Sequence, residues 1–183
     1  MFPDPPGGTM RLFTRRLFLR PIAITDAEAL FAARGDPVVM KFWDWPEQKS
    51  VAGVETIIRE HGREIEGGTT LWWVVATSEH GPAIGECDLS EIDKRQKRAE
   101  LGFLFARAHW GKGYALEASR AVVAHAFGSL EIDRLFARCH SGNTRSVALL
   151  EQLGFSYEGR LRGHVVREGE RRDCLVYGLI HES

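Results

Sequence analysis

The sequence predicts a single domain of the mixed α/β (α+β) class, with about seven strands flanked by helices. Its 183 residues are enough for one well-buried core, and length alone gives no reason for a second domain. Segments with the alternation and β-branched residues of strands are interspersed with segments that begin at helix caps. Their order is a strand, helices, a three-strand meander, a helix, a strand, a helix and two strands, which is typical of a mixed domain.

The first part of the domain is marked by helix-start signals. Thr25 and Glu28 have the spacing of a capping box, Asp36 precedes a proline, and Ser50 precedes a long amphipathic segment. The predicted elements are a strand over residues 15–22, a helix over 26–34, a short helical turn from 37 and a helix over 51–66.

Strand signals dominate the rest of the chain. The segment LWWVVAT is aromatic and β-branched, and charged or glycine-containing turns separate the segments that follow it. The predicted elements are strands over residues 71–77, 83–92 and 98–105, a helix over 114–127, a strand over 134–140, a helix from Asn143 to Leu153, and a hairpin of residues 156–166 and 171–180.

The composition is that of an ordinary globular protein with 44% hydrophobic and 27% charged residues, and the formal charge of −1 gives no overall attraction to nucleic acid or anionic membranes. The three cysteines form no CxxC, and the seven histidines show no metal-binding spacing, so we expect free thiols and no metal. No apolar run reaches the length of a membrane span. We therefore expect a soluble cytoplasmic protein.

Residues 1–11 are rich in proline and glycine and predict a flexible leader before a domain over 12–183, with Met10 left open as the natural start.

The segment HWGKGYALEA places two glycines between a predicted strand and a predicted helix. It is not a Walker loop, because Ala106 stands where that motif needs glycine and Tyr114 where it needs serine or threonine. It is not a dinucleotide fingerprint, because Leu116 replaces the third small residue. A strand, a short glycine loop and a helix N-terminus together suit a pyrophosphate, although a simple connector remains the alternative.

A second motif, SGNTRSVALLEQLGFSYEG, follows the predicted strand over residues 134–140. Asn143 and Ser146 stand at the start of its helix, and helix capping explains both residues equally well. The occurrence of both motifs, each after a strand, is more specific than either alone.

Together these motifs resemble the GNAT superfamily of acetyl-CoA dependent N-acetyltransferases, and within it the RimJ/RimL-type group of ribosomal-protein N-terminal acetyltransferases. The resemblance extends from about residue 12 to nearly the end of the chain. It implies a strongly bent, mostly antiparallel sheet that is split between the strands at 98–105 and 134–140, with acetyl-CoA in the split.

The resemblance also implies which residues hold acetyl-CoA. The pantetheine arm would pair with the backbone at Phe103, Leu104 and Phe105, and the pyrophosphate would lie on the backbone of the glycine loop. Those loop residues, with the two at the next helix, are Ala108, His109, Trp110, Gly111, Lys112, Gly113, Tyr114, Asn143 and Ser146.

Three positions depart from patterns common in the superfamily. Ala108 replaces the usual glutamine or arginine, with Arg107 one place away, and Leu150 replaces the tyrosine that protonates the departing sulfur in many members. In the RimJ/RimL-type group the residue at the position of Ser146 can hydrogen-bond the leaving thiolate, so the resemblance makes Ser146 the candidate acid, with helix capping as the alternative. Val165 occupies the place of a catalytic glutamate, and the neighbouring His164 is expected on the opposite face of its strand.

Acetyl transfer needs a neutral amine, a donor for the developing oxyanion and a proton acceptor. A backbone N–H near Phe105 is the expected donor. Glu100 is the candidate base, acting through water, with an ion pair to Arg98 or Arg138 as the alternative explanation.

The candidate acceptor-binding residues are Trp43, Asp44, Glu86 and Asp88. Loop packing and a solvated strand face are the alternatives. An α-amine, with a pKa of about 7.7–8, is far more often neutral at pH 7 than a lysine side chain, and this favours a protein or peptide N-terminus, for example of a ribosomal protein.

The alternatives for function are a small amine acceptor (an antibiotic, an amino acid or a polyamine) and a CoA-binding sensor without catalysis. The basic segment KRQKR is expected to be a hairpin tip, so no direct nucleic-acid or membrane partner is expected. The chain is expected to be a monomer or a homodimer.

Overall fold

A computed structural model describes residues 10–182, and the first nine residues of the predicted leader lie outside this range. The strands are β1 (Leu12–Phe13), β2 (Phe18–Pro21), β3 (Leu71–Ala76), β4 (Gly85–Asp93), β5 (Arg98–Phe105), β6 (Arg134–His140), β7 (Ser156–Arg167) and β8 (Glu170–Ile180). The helices are α1 (Ala27–Arg34), α2 (Pro37–Met40), α3 (Val51–Glu66), α4 (Tyr114–Gly128) and α5 (Thr144–Gln152).

One mixed sheet contains all of these strands, in the order β1-β2-β3-β4-β5-β6-β8-β7. Every neighbouring pair is antiparallel except β5 and β6, which are parallel. That parallel pair is joined only where residues 98–100 face residues 134–136, so the two strands separate beyond Glu100 and Phe136. The predicted fold class and the split between the two central strands are confirmed.

The sheet has one strand more than predicted, because the short β1 precedes the first predicted strand at 15–22, which corresponds to β2. The backbone turns at Thr14, whose N–H donates to the carbonyl of Leu17 at 2.9 Å. This turn pairs the short β1 with β2, and it leaves Arg15 and Arg16 outside the ladder.

Most helix starts agree with their sequence signals. The Asp36 carboxylate accepts the N–H of Val38, and the Ser50 hydroxyl accepts that of Gly53. The capping box predicted at Thr25 is wrong, because α1 follows a 3₁₀ turn and has Asp26 as its N-cap. The Asp26 carboxylate instead accepts the Ala23 N–H at 2.9 Å and pairs with Arg20.

Hydrophobic side chains cover both faces of the sheet. Trp73 and Val75 of β3 face the core that α4 closes, whereas Trp72 and Val74 face α1 and α3. The period of two along a strand produces this division, and full burial of each large side chain contributes about 1.5–3 kcal/mol. Met10 is also buried, and its carbonyl accepts the Trp73 indole N–H.

Cys87, Cys139 and Cys174 are free thiols, as expected. None of the helices within residues 10–182 is long and apolar enough to cross a membrane.

Candidate active site

The split in the sheet leaves one edge of β5 without a partner strand. The N–H of Ala106 donates to the carbonyl of Ile84 on the β4 side, so the alternation of an antiparallel ladder turns Phe103 and Phe105 toward the split. The Phe105 carbonyl is occupied by the indole N–H of Trp110 at 2.8 Å. The edge therefore offers the backbone of Phe103 and the N–H of Phe105 to an extended ligand.

The glycine loop after β5 has the shape of an anion cradle. Gly111 and Gly113 have φ values of 74° and 76°, a left-handed conformation that other residues adopt at a cost. Gly113 is also the N-cap of α4, a helix of 15 residues. Free N–H groups and the positive end of that helix therefore meet at this loop, so the residues fit a pyrophosphate.

The turn between β1 and β2 holds the glycine loop in place. The Thr14 hydroxyl donates to Glu117 at 2.6 Å, and the Arg16 guanidinium donates both to Glu117 and to the carbonyl of Lys112. Although burial alone would raise the pKa of Glu117, the hydrogen bonds from Thr14 and Arg16 lower it. No local pattern indicates this contact, because about a hundred residues separate its partners.

The second motif lies across the split at the start of α5. The Asn143 side-chain oxygen accepts the N–H of Ser146 at 3.2 Å, so Asn143 is the cap of this helix. This leaves the Asn143 amide nitrogen and the Ser146 hydroxyl outside the cap. Both residues line the cavity described next.

A cavity of about 740 Å³ extends from the split across the face of the sheet that α1 and α3 cover. Both candidate residues of the FWDWP segment, Trp43 and Asp44, line it. Its acidic lining residues are Asp44, Glu60, Glu64, Asp88, Glu91 and Glu100, and its arginines are Arg34 and Arg138. Carboxylates therefore outnumber guanidinium groups in this cavity, which favours a cationic ligand.

Glu100 lies at the split and is paired with Arg138. The guanidinium donates to one carboxylate oxygen at 2.8 Å and to the other at 2.5 Å. A bulge in β4, where Glu91 has a φ of 49°, brings a second carboxylate to the same arginine at 2.6 Å. Hydrogen bonding to Glu100 raises the pKa of Arg138. The alternative ion pair proposed for Glu100 therefore forms, with Arg138 and not with Arg98.

Asp88 and Glu86 share one face of β4, as predicted, but their surroundings differ. Glu86 is 2% exposed and forms an ion pair with the buried Arg34. Arg34 lines the cavity and Glu86 does not.

Asp88 does line the cavity, directly across the ladder from Gly102. Burial raises its pKa to about 7, and the nearby charges of Glu86 and Glu100 add to this effect, while Arg34 offsets part of it.

Three histidines line the cavity, His61, His140 and His164, and none of them was predicted at the site. His140 is 3% exposed, its Nε2 lies 2.9 Å from Asp44, and its Nδ1 has no hydrogen-bond partner among the described residues. His164 was expected on the face of β7 away from the site, and this is wrong, because it lines the cavity. The register of β7 shifts between Leu161 and Val165, and Gly163 there has a φ of 57°, so the simple alternation fails.

We expect Asp88→Asn to stabilise the protein at pH 8. The carboxyl has a pKa of 3.8 when free and about 7 in the folded chain, so folding favours its protonated form. The contribution of the protonated carboxyl to the free energy of unfolding is complete below a pH of about 4 and is lost as the pH rises through 7. The melting temperature of the variant should therefore exceed that of the wild type by several degrees at pH 8. Each kcal/mol of stability shifts the melting temperature of a domain of this size by about 2–4 °C.

Thermal melts followed by circular dichroism at pH 4 and pH 8 measure this difference. At pH 4 the two proteins should melt together, because both carry a neutral side chain at position 88. A variant that is less stable than the wild type at pH 8 would contradict the expectation.

Comparison with known proteins agrees with this geometry. The acetyltransferase (GNAT) domain family matches residues 16–156. An uncharacterized N-acetyltransferase, p20 of Bacillus licheniformis, is 32% identical over 170 residues, which cover 92% of this chain and 95% of that protein.

Two solved structures share the fold. The ribosomal L7/L12 α-N-protein acetyltransferase RimL in complex with coenzyme A has a TM-score of 0.83 at 19% identity, over 93% of this chain and 97% of that one. A spermidine N-acetyltransferase from Vibrio cholerae, in complex with CoA and spermine, has a TM-score of 0.80 at 23% identity, over 91% of this chain and 96% of that one. The resemblance read from the two sequence motifs is confirmed. The chain belongs to the GNAT acetyltransferase family and is an acetyl-CoA dependent N-acetyltransferase.

Proposed function

We propose that the acceptor is the α-amine of a protein or peptide N-terminus. The observation that carries this proposal is the acidic cavity next to the split. Six carboxylates line it, and its two arginines are already paired, Arg34 with Glu86 and Arg138 with Glu91 and Glu100. Such a surface attracts an ammonium group, and a volume of about 740 Å³ has room for several residues of a peptide.

The titration of the acceptor supports an α-amine over a lysine side chain. An α-amine with a pKa of about 7.7–8 is roughly one-tenth neutral at pH 7, whereas a lysine with a pKa of about 10.4 is only about 0.04% neutral. A carboxyl whose pKa lies near 7, such as Asp88, is close to the α-amine but more than three units below the lysine. Proton removal is therefore much less costly for the N-terminal acceptor.

The chain holds acetyl-CoA, in this proposal, with backbone groups and two side chains of α5. The N–H groups of Gly111, Lys112 and Gly113 take the pyrophosphate, because those of His109 and Trp110 already donate to the carbonyls of Ala106 and Arg107. Ala108, His109, Trp110 and Tyr114 lie around it, and the β5 edge at 103–105 takes the pantetheine arm. When bound, acetyl-CoA supplies an acetyl group activated as a thioester. The Asn143 amide nitrogen holds the arm near its sulfur end, and the Phe105 N–H donates to the acetyl carbonyl oxygen.

Ser146 and Glu100 act at the split. The Ser146 hydroxyl donates its proton to the departing sulfur, because it lines the cavity and is not the cap of α5. Both oxygens of Glu100 accept hydrogen bonds from Arg138, so fewer of its lone pairs are free to receive a proton from the acceptor amine. Its proposed part is to fix Arg138 and to contribute negative charge beside the amine.

A polyamine is the second candidate acceptor. Glu60 and Glu64 stand one turn apart on α3 and both line the cavity, where the Thr70 hydroxyl lies 3.5 Å from Glu64. Two carboxylates on one helix suit a further ammonium group of a long, flexible amine. One of the solved structures that share the fold is a spermidine N-acetyltransferase.

Thiol release from acetyl-CoA, measured with matched acceptors at pH 7.5, tests the proposal. One peptide is offered with a free N-terminus and again with that terminus formylated, each containing one lysine, beside spermidine and spermine. We expect turnover on the free peptide and none on the formylated one. Turnover on the polyamines alone would overturn the N-terminal proposal in favour of the second candidate. Equal turnover on both peptides would identify lysine as the acceptor and also overturn it.

A further inference from the structure

We propose that Asp88 is the proton acceptor of the reaction, a catalytic residue that takes the proton from the acceptor amine. The proposal rests on the proposed amine acceptor, but it holds for any amine that the enzyme uses. It assigns a chemical step to a residue for which the sequence suggested only a binding contact.

The position of the Asp88 carboxylate depends on a glycine in the neighbouring strand. Asp88 pairs with Gly102 across the β4–β5 ladder, and a Cβ atom on Gly102 would lie only 2.2 Å from the Asp88 Oδ1. The carboxylate therefore lies across the backbone of β5, in space that any other residue at 102 would fill. Gly102 is followed by Phe103, whose backbone faces the split. Asp88 thus reaches from β4 toward the place where the acetyl group would be held.

The other two carboxylates that the ladder of β4 and β5 places on this face of the sheet are paired with arginine. Glu86 is buried against Arg34, and Glu100 has both oxygens on Arg138. The oxygens of both carboxylates already accept hydrogen bonds from a guanidinium, so they offer fewer free lone pairs to a substrate proton. Asp88 has no such partner among the ion pairs of residues 10–182, and it keeps part of its surface open to the cavity.

The pKa of Asp88, raised to about 7 by burial, agrees with this position, because a base near neutrality accepts a proton and releases it again at physiological pH. The charged and titratable groups around it come from several elements. Glu86 on β4, Glu100 on β5 and Arg34 on α1 act on its pKa. The other titratable groups that line the same cavity are Asp44, Glu60, His61, Glu64, Glu91, Arg138, Cys139, His140, His164 and Cys174.

Asp88 takes one proton from the ammonium group, and the freed nitrogen lone pair forms the new C–N bond as the C–S bond breaks. The electron pair of the C–S bond stays on sulfur. The second proton leaves the nitrogen and ends on that sulfur, with the Ser146 hydroxyl as the relay. Asp88 then releases its proton to water in the cavity.

Two variants and a matched control test the proposal. Asp88→Asn removes the base, Gly102→Ala pushes the carboxylate from its place, and Gly159→Ala adds a methyl group at a strand glycine with nothing within 4 Å of the new Cβ. For each protein, kcat and kcat/KM are measured between pH 5.5 and 9 on the amine that the wild type acetylates best, and acetyl-CoA affinity is measured by calorimetry.

The wild-type kcat should rise with pH and level off above about 7. We expect Asp88→Asn to lower kcat by about 10²–10⁴-fold and to lose this rise, while acetyl-CoA affinity stays within twofold. Gly102→Ala should also lower kcat, and Gly159→Ala should match the wild type.

An Asp88→Asn enzyme that keeps the wild-type kcat and its rise with pH would overturn the proposal. So would an effect confined to KM, because it would show that Asp88 only attracts the acceptor. Wild-type turnover limited to small amines would instead overturn the N-terminal acceptor, and the Asp88 test would then run on that amine. Melting temperatures are measured at pH 8 for each variant. An inactive Asp88→Asn protein that melts at or above the wild-type temperature is folded and has lost only its base.

Discussion

Replacing Arg34 by methionine is expected to lower the free energy of unfolding by about 3–5 kcal/mol. The Arg34 and Glu86 side chains are 7% and 2% exposed, and they face each other beneath the cavity. Removal of the guanidinium leaves a buried carboxylate without a counter-charge, and that costs more than the pair itself contributes. Arg34 also lies 5.1 Å from the centre of the Trp72 ring, and this contact is lost as well. Urea unfolding followed by tryptophan fluorescence measures the change.

The control is an arginine in an exposed pair. Arg59 bonds Glu55 on the surface of α3, and Arg59→Met should change the free energy of unfolding by less than about 0.5 kcal/mol. The double variant Arg34→Met/Glu86→Leu should recover most of the loss, because an apolar pair of similar volume carries no desolvation cost. An Arg34→Met protein as stable as the Arg59→Met control would show that the pair does not support the fold.

Gly113→Val is expected to weaken acetyl-CoA binding by at least about tenfold. Gly113 has a φ of 76°, where a β-branched residue is strongly disfavoured, and a side chain there costs about 1–2 kcal/mol in backbone strain alone. A new Cβ would also lie 3.4 Å from the Arg16 guanidinium, which holds the carbonyl of Lys112. A backbone shift that relieves the strain at residue 113, or a displacement of Arg16, would move the N–H groups of the loop away from the pyrophosphate. Isothermal titration calorimetry with acetyl-CoA measures the affinity.

Gly128→Ala is the matched control for this experiment. Gly128 ends the same helix, α4, and a Cβ there meets nothing within 4 Å. Its acetyl-CoA affinity should equal that of the wild type. If Gly113→Val also binds as tightly as the wild type, the glycine loop does not hold the pyrophosphate, and the proposed cofactor site is wrong.

Much of the fold was readable from local patterns. The cap residues Asp36 and Ser50 and the strands over 71–77 and 134–140 all follow from local preferences of the chain. The loop glycines and Asn143 were found for the same reason, since each satisfies a need of the backbone at its own position. The capping box predicted at Thr25 does not form, because the neighbouring Asp26 carboxylate accepts the Ala23 N–H and pairs with Arg20.

The sequence by itself determined the mixed class, the order of its elements and the family that the two motifs indicate. Only the tertiary structure decided which ionisable groups are paired and which face the cavity. Arg34 is 52 residues from Glu86, and Arg138 is 38 residues from Glu100, so no local period reports either pair. The role of Gly102 likewise depends on the register of β4 against β5, which places Asp88 opposite it. Charge pairing and burial together set the pKa of a carboxyl, and both arise only when distant strands come together.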